Sequence, residues 1–221
     1  MAKLYIYGTI GFDVEADYIR AALDDMEGEV ELRINSGGGD VFEGNAIYSL
    51  LESYKTKDGN SVTVYVDGIA ASIASVIAMA GDTIHMSKNA LMMIHNPWTP
   101  AAAGGSDDLR NLATVLDKIR ETIVTVYESK TGMDRETLLA MMEDETWFSA
   151  AEAVNFGFAD VVIDLSEEPA ASIKAFNYVN APNWLNDINT EIEVEPILPI
   201  RRKLAKAKLA INRCCNKINN N

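Results

Sequence analysis

Residue types alternate along Leu4-Tyr5-Ile6-Tyr7 with the period of a strand, and Val14, Tyr18, Ala22 and Met26 then recur at a spacing that places them on one helical face. Glu29 to Asn35 predicts a second strand. Beyond Ser36-Gly37-Gly38-Gly39, the positions of Ile47, Leu50, Leu51 and Tyr54 are again helical, and Val62, Val64 and Val66 mark a third strand. This βαβα order predicts a layered α/β domain in which each helix covers the apolar side of neighbouring strands. The most apolar segment runs from Gly68 to Gly81 and contains Ser72 and Ser75. It is shorter than the roughly 20 residues a membrane span needs and reads as a buried helix. His85, in Gly81-Asp82-Thr83-Ile84-His85, takes a strand position that supports the sheet.

The second half begins with Pro97, Pro100, Gly104 and Gly105, which predict a flexible connection or surface flap. Ser106 is placed to cap a long helix with Asp107 and Asp108 in its first turn and a stripe of Leu109, Leu112, Leu116, Ile119, Ile123 and Tyr127. Lys130-Thr131-Gly132 ends it. Shorter helices follow over Glu136 to Met142 and Ala150 to Phe156, around a loop, and Val161-Val162-Ile163 is a strand. From Ser166 the periodicity fails: Pro169, Pro182, Pro196 and Pro199 interrupt it, and seven basic residues fall between Arg201 and Lys217. The pattern therefore divides into a domain over residues 1–165 and a C-terminal extension over 166–221. The extension's positive end reads as a solvated helix, with docking onto an acidic surface as the alternative.

The composition narrows the function classes. The 221 residues, 48% hydrophobic and 24% charged, suffice for one core with an appendage. Acidic residues outnumber basic ones 33 to 19, a formal charge of -14 that opposes a phosphate backbone, so no nucleic acid is expected as partner. Cys214 and Cys215 are adjacent, a spacing that suits neither a stapled core nor a metal site and fits a reducing compartment. Strand-like residues begin almost at once, without a basic segment and apolar stretch ahead of a cleavage site, so a cytoplasmic protein with no membrane association is expected.

Two stretches carry candidate chemistry. Gly37, Gly38 and Gly39 follow a predicted strand, where missing side chains allow a tight turn or let backbone amides approach a ligand. No dinucleotide or nucleotide-triphosphate fingerprint is present, and the amides could instead stabilise an oxyanion. Ser72 lies among small residues and is a nucleophile if a base takes its proton; His95 in Met92-Met93-Ile94-His95-Asn96-Pro97 can be that base, and Glu145 or Asp144 can orient the imidazole. From the residues alone, Ser72 better suits a serine bonded inside a helix, Ser75 is a rival nucleophile, His95 equally suits a packing role, and the two acids suit a solvated loop.

Ile34-Asn35-Ser36-Gly37-Gly38-Gly39, the Gly68-to-Gly81 segment and Met93-Ile94-His95-Asn96-Pro97, in that order, resemble the self-compartmentalising Clp proteolytic subunits, particularly the phage and prophage branch related to head-maturation proteases. Trp147 to Gly157 reinforces the resemblance, which covers roughly residues 1 to 165. It implies a spiral of repeated β-β-α units, also seen in crotonase-like enzymes, with a projecting helical handle for which residues 106–130 are the candidate. It also implies Ser72 as nucleophile, His95 as general base, Glu145 as triad acid, and the backbone amides of Gly39 and Ile73 as oxyanion donors. Housekeeping members usually have aspartate at the Glu145 position, which keeps Asp144 as the alternative acid, and proline at the Gly37 position.

The implied activity is that of a serine endopeptidase without metal, nucleotide or organic cofactor, acting on peptides, unfolded segments or phage structural proteins. The implied assembly is a closed homo-oligomer, the family form being a heptameric ring stacked into a double ring. Folded substrates would require a separate ATP-driven unfoldase. Two other readings compete: a crotonase-like acyl-CoA hydratase or isomerase, and a catalytically silent capsid-associated scaffolding ring.

Overall fold

The computed structural model describes residues 2–100 and 102–164. The extension expected over 166–221, with its basic end and both cysteines, lies outside the described residues.

The strands are β1 (Ala2–Ile10), β2 (Glu29–Gly39), β3 (Ser61–Ala71), β4 (Thr83–Ser87), β5 (Leu91–Ile94), β6 (Thr146–Ser149) and β7 (Val161–Ile163). Between them lie α1 (Ala16–Asp24), α2 (Val41–Lys55), α3 (Ile73–Ala78), α4 (Ser106–Thr131), α5 (Arg135–Glu143) and α6 (Ala150–Asn155). A parallel sheet runs β1-β2-β3-β4-β7, while β5 pairs in parallel with the end of β3 and antiparallel with β6. The fold class is α/β, as the βαβα pattern predicts, with the mixed sheet and helical layers that the family resemblance implies.

Strand alternation explains the layering. Leu4 pairs with Leu32, Leu32 with Val64 and Val64 with Ile84, an apolar row across the sheet that joins the core with Ile19, Leu23, Ile47 and Leu51 of the helices. One residue further along, the row is Tyr5, Arg33, Tyr65 and His85, on the opposite face. There Arg33 makes a two-pronged ion pair with Asp67, Tyr7 donates to Asp67 Oδ2 at 2.5 Å, and Tyr65 stacks on His85 at 4.8 Å. His85 is a strand residue of the sheet, as its sequence position predicts.

Several local expectations are corrected. Tyr18 is exposed: α1 starts only after Glu15, so its buried face is Ile19 and Leu23, one residue off the expected stripe. The glycine run does not end β2 but continues it, since Gly38 and Gly39 pair with Thr9 and Ile10. Gly68 to Gly81 is not one helix, because β3 extends to Ala71 and α3 begins at Ile73. Met92 to Ile94 lies in strand β5, and the loop expected between α5 and α6 contains β6. Ser106 is the first helical residue, preceded by Gly105, whose amide is capped by Asp108 Oδ2 at 2.8 Å.

The long helix α4 ends as predicted, at Gly132 in the left-handed conformation with φ 69°. Its buried residues, Ile123, Val124 and Tyr127, all belong to its second half, whereas Leu109 and Val115 are exposed. The first half thus projects from the core as the expected handle. Among the described residues, no helix is long and apolar enough to cross a membrane.

Candidate active site

Strand register brings the site together. After Ile34 pairs with Val66, the next pair is Ser36 with Ala70, so β3 is irregular over Asp67 to Ile69 and there exchanges β4 for β5 as neighbour. Ala71 then lies beside Met93, and Ile94 of β5 opposite Thr146 of β6. The next positions outward are Ser72, His95 and Glu145. Residues distant in the chain meet because they occupy three neighbouring strand ends.

Ser72 occupies the turn between β3 and α3 with φ 57° and ψ -130°, a backbone state costing about 1–3 kcal/mol that surrounding structure must offset. Its amide donates to the Met93 carbonyl at 3.0 Å. Gly38 leaves room for it: a Cβ on Gly38 would come within 2.8 Å of Ser72 Cβ. The glycine run is fixed by Ser36, whose hydroxyl donates to the Gly8 carbonyl at 2.6 Å and accepts from the Gly38 amide at 3.1 Å.

His95 Nε2 lies 2.7 Å from Ser72 Oγ. Burial holds the imidazole pKa below its ordinary 6.5, against an opposing upward pull from Glu145, so the neutral ring is the form present at neutral pH. Glu145 Oε2 lies 3.9 Å from His95 Nδ1, within ion-pair range but longer than a hydrogen bond, and the carboxylate is 8% exposed. Its backbone is left-handed, φ 49°, immediately after the α5 C-cap Asp144, and its amide donates to Met142 O at 3.4 Å. Terminating α5 in this way turns the chain into β6. Asp144, the alternative acid, is exposed.

The Trp147 and Tyr127 contacts were not legible in the sequence, and Ser75, read there as a rival nucleophile, has a different place. The Trp147 indole donates to Glu145 Oε1 at 3.2 Å. Ser75 is fully buried, its hydroxyl donating to the Ser72 carbonyl at 2.6 Å and lying 2.8 Å from Tyr127 Oη. Tyr127 stood in the apolar stripe of the long helix, where nothing in the spacing marks a hydroxyl that reaches Ser75.

Around Ser72 opens a cleft of about 330 Å³. Gly39 and Ile73 line it beside Ser72 and His95, Phe42 and Trp98 stand at its edges with exposed rings, and Leu112, Leu116, Ile119 and Ile123 of α4 form an apolar wall. Such a cleft can accept an extended chain with an apolar side chain next to the serine.

Comparison with known proteins agrees with the fold. The family model described as Clp protease matches residues 13–166. An ATP-dependent Clp protease proteolytic subunit of Deinococcus radiodurans is 35% identical over 144 residues, 64% of this chain and 68% of the relative. One of Bdellovibrio bacteriovorus is 33% identical over 171 residues, 73% of this chain and 79% of the relative. A third, of Leuconostoc citreum, is 33% identical over 143 residues, 63% and 70% of the two chains. The chain belongs to the Clp protease family. It is a serine-type endopeptidase.

Proposed function

We propose that this endopeptidase cuts peptide bonds by acyl transfer from Ser72, with His95 as general base and Glu145 supporting the imidazole. The observation that carries this reading is the 2.7 Å approach of His95 Nε2 to Ser72 Oγ. Ser72 attacks the peptide carbonyl as its proton passes to Nε2, and the Gly39 and Ile73 amides receive the oxyanion. His95 then returns the proton to the departing amine. Water, activated by the same ring, releases the acyl group and restores the serine.

Glu145 is preferred to Asp144 because its buried carboxylate faces Nδ1, favouring the tautomer that leaves Nε2 free to accept. Ser75 is set aside as nucleophile because it is fully buried and already hydrogen-bonded. The acyl-CoA reading lacks support: apart from His95, the charged side chain among the described cleft residues is Asp40, which would repel a pyrophosphate.

The wider reading is a cytoplasmic enzyme whose catalytic domain covers residues 1–165, working as a closed homo-oligomer on unfolded polypeptide or phage structural proteins. The relatives' names as proteolytic subunits of an ATP-dependent protease support a separate ATP-driven partner for folded substrates. The phage assignment rests on the motif resemblance and is tested by presenting phage head proteins and mapping any cleavage by mass spectrometry. For the chemistry, a fluorophosphonate should label the parent at Ser72, and Ser72→Ala should abolish both labelling and peptide cleavage. Undiminished cleavage by that variant rejects the mechanism.

A further inference from the structure

The peptide unit joining Ser72 to Ile73 carries two groups with different tasks. Its N–H belongs to Ile73, one of the two proposed oxyanion donors; its C=O belongs to Ser72 and accepts from the buried Ser75. Because the unit is planar and trans, the two groups point in opposite directions, and fixing one fixes the other. The carbonyl is held firmly, accepting the Ser75 amide at 3.0 Å and the Ser75 hydroxyl at 2.6 Å.

That hydroxyl is also 2.8 Å from Tyr127 Oη. A serine hydroxyl has one hydrogen and a carbonyl can only accept, so the Ser75 hydrogen goes to Ser72 and the phenol is the donor in the second contact. The chain therefore runs from the Tyr127 O–H to the Ser75 O–H to the Ser72 C=O. Ser75 is 0% exposed and Tyr127 1%, so the interior offers no water competition for either bond. Burial also raises the phenol pKa above its ordinary 10, which keeps the proton on Tyr127 as the donor role requires.

We propose that Tyr127 and Ser75 are positioning residues whose hydroxyl chain aims and polarises the Ile73 amide toward the oxyanion. Successive bonds strengthen one another, and a carbonyl that accepts more strongly makes its own N–H a better donor. The chain also ties the peptide beside the nucleophile to α4, so the angle of that helix against the core is read out at the oxyanion site. This inference rests on Ser72 being the nucleophile.

The test compares the parent with Tyr127→Phe, Ser75→Ala and the double variant, using a matched pair of ester substrates with a carbonyl oxygen or a thiocarbonyl sulfur. Sulfur accepts hydrogen bonds poorly and draws little from the aimed amide. Removing an oxyanion donor outright costs about 10²–10³ in kcat, and mis-aiming one is expected to cost Tyr127→Phe about tenfold on the oxygen ester, with KM nearly unchanged. The sulfur ester should lose far less. Since Tyr127 acts only through Ser75, the double variant should be no slower than Ser75→Ala alone.

Equal losses on both esters, independent multiplying effects, or Tyr127→Phe with parental kcat would overturn the proposal. Tyr127→Phe preserves the ring and its packing, and its melting curve separates misfolding from mis-aiming. An acyl-enzyme that forms in the parent and disappears in Ser72→Ala keeps the parent reading intact whatever the Tyr127 result. A parent that forms no acyl-enzyme at Ser72 overturns both.

Discussion

At the scale of single residues, the proposed mechanism makes the imidazole set the pH response. Protonated His95 cannot take the serine proton, so kcat/KM should rise with pH through the free-enzyme pKa of that ring. Burial lowers that pKa, so the acid limb should lie below the ordinary 6.5. Glu145 pulls in the other direction, and Glu145→Gln should therefore move the limb to still lower pH while reducing kcat by on the order of 10²–10⁴. A pH-rate profile of the two proteins checks both statements, and an upward shift in the variant contradicts them. The serine and the histidine were legible as candidates from residue type and surroundings. Both acids were candidates from the residues, and only the motif resemblance favoured Glu145, because the two are indistinguishable until α5 ends before them and the left-handed turn at Glu145 buries its side chain. Trp147 and the Ser75–Tyr127 pair stayed hidden because a sequence records which hydroxyls and indoles exist, not where they point.

At the scale of elements, the period-2 valines and leucines of β1, β2 and β3 were readable because each strand turns its apolar residues to one face that joins the core. The Gly68-to-Gly81 run was not: a stretch of alanines, isoleucines and serines buried on all sides has no periodicity to separate strand from helix. Its division at Ser72 comes from tertiary pairing with β5. Packing between α2 and α3 supplies a test of how tightly the turn at Ser72 is supported. A Cβ on Gly44 of α2 would lie 2.1 Å from Ile73 Cγ1, so the two helices approach at the residue next to Ser72. Gly44→Ala should lower stability by about 1–3 kcal/mol through overpacking, despite alanine's better helix propensity. Thermal melts measure the first effect, and a slower fluorophosphonate reaction at Ser72 reveals displacement of the turn. A melting temperature at or above that of the parent contradicts the tight approach.

At the scale of the whole molecule, the projecting half of α4 is the feature in need of a partner. Arg110 and Asp107 pair at 2.7 Å on its surface, but such pairs contribute only about 0.2–0.5 kcal/mol each. Covering one exposed leucine or valine contributes about 1.5–3 kcal/mol, so Leu109 and Val115 have the larger stake in how this helix is used. If the protein closes into an oligomer through this handle, the paired substitution Leu109→Glu and Val115→Glu should shift sedimentation toward single subunits while leaving the circular dichroism spectrum unchanged. An unaltered sedimentation profile would place the subunit contacts elsewhere. The division into a sheet-and-helix body with a handle was legible because the helix's stop signal at Gly132 and its long stripe are local, whereas which half of that stripe the body covers depends on how far the core extends.

The change of neighbour along β3 bears on when this polypeptide becomes reactive. The longer pairings of the sheet join β1, β2 and β3, whereas Ser72 and His95 are brought together where the short β5 strand pairs with the end of β3. A chain in which β5 and β6 had not docked would keep the larger layer yet be chemically silent, so its hazard to other proteins would begin only with those two strands in place.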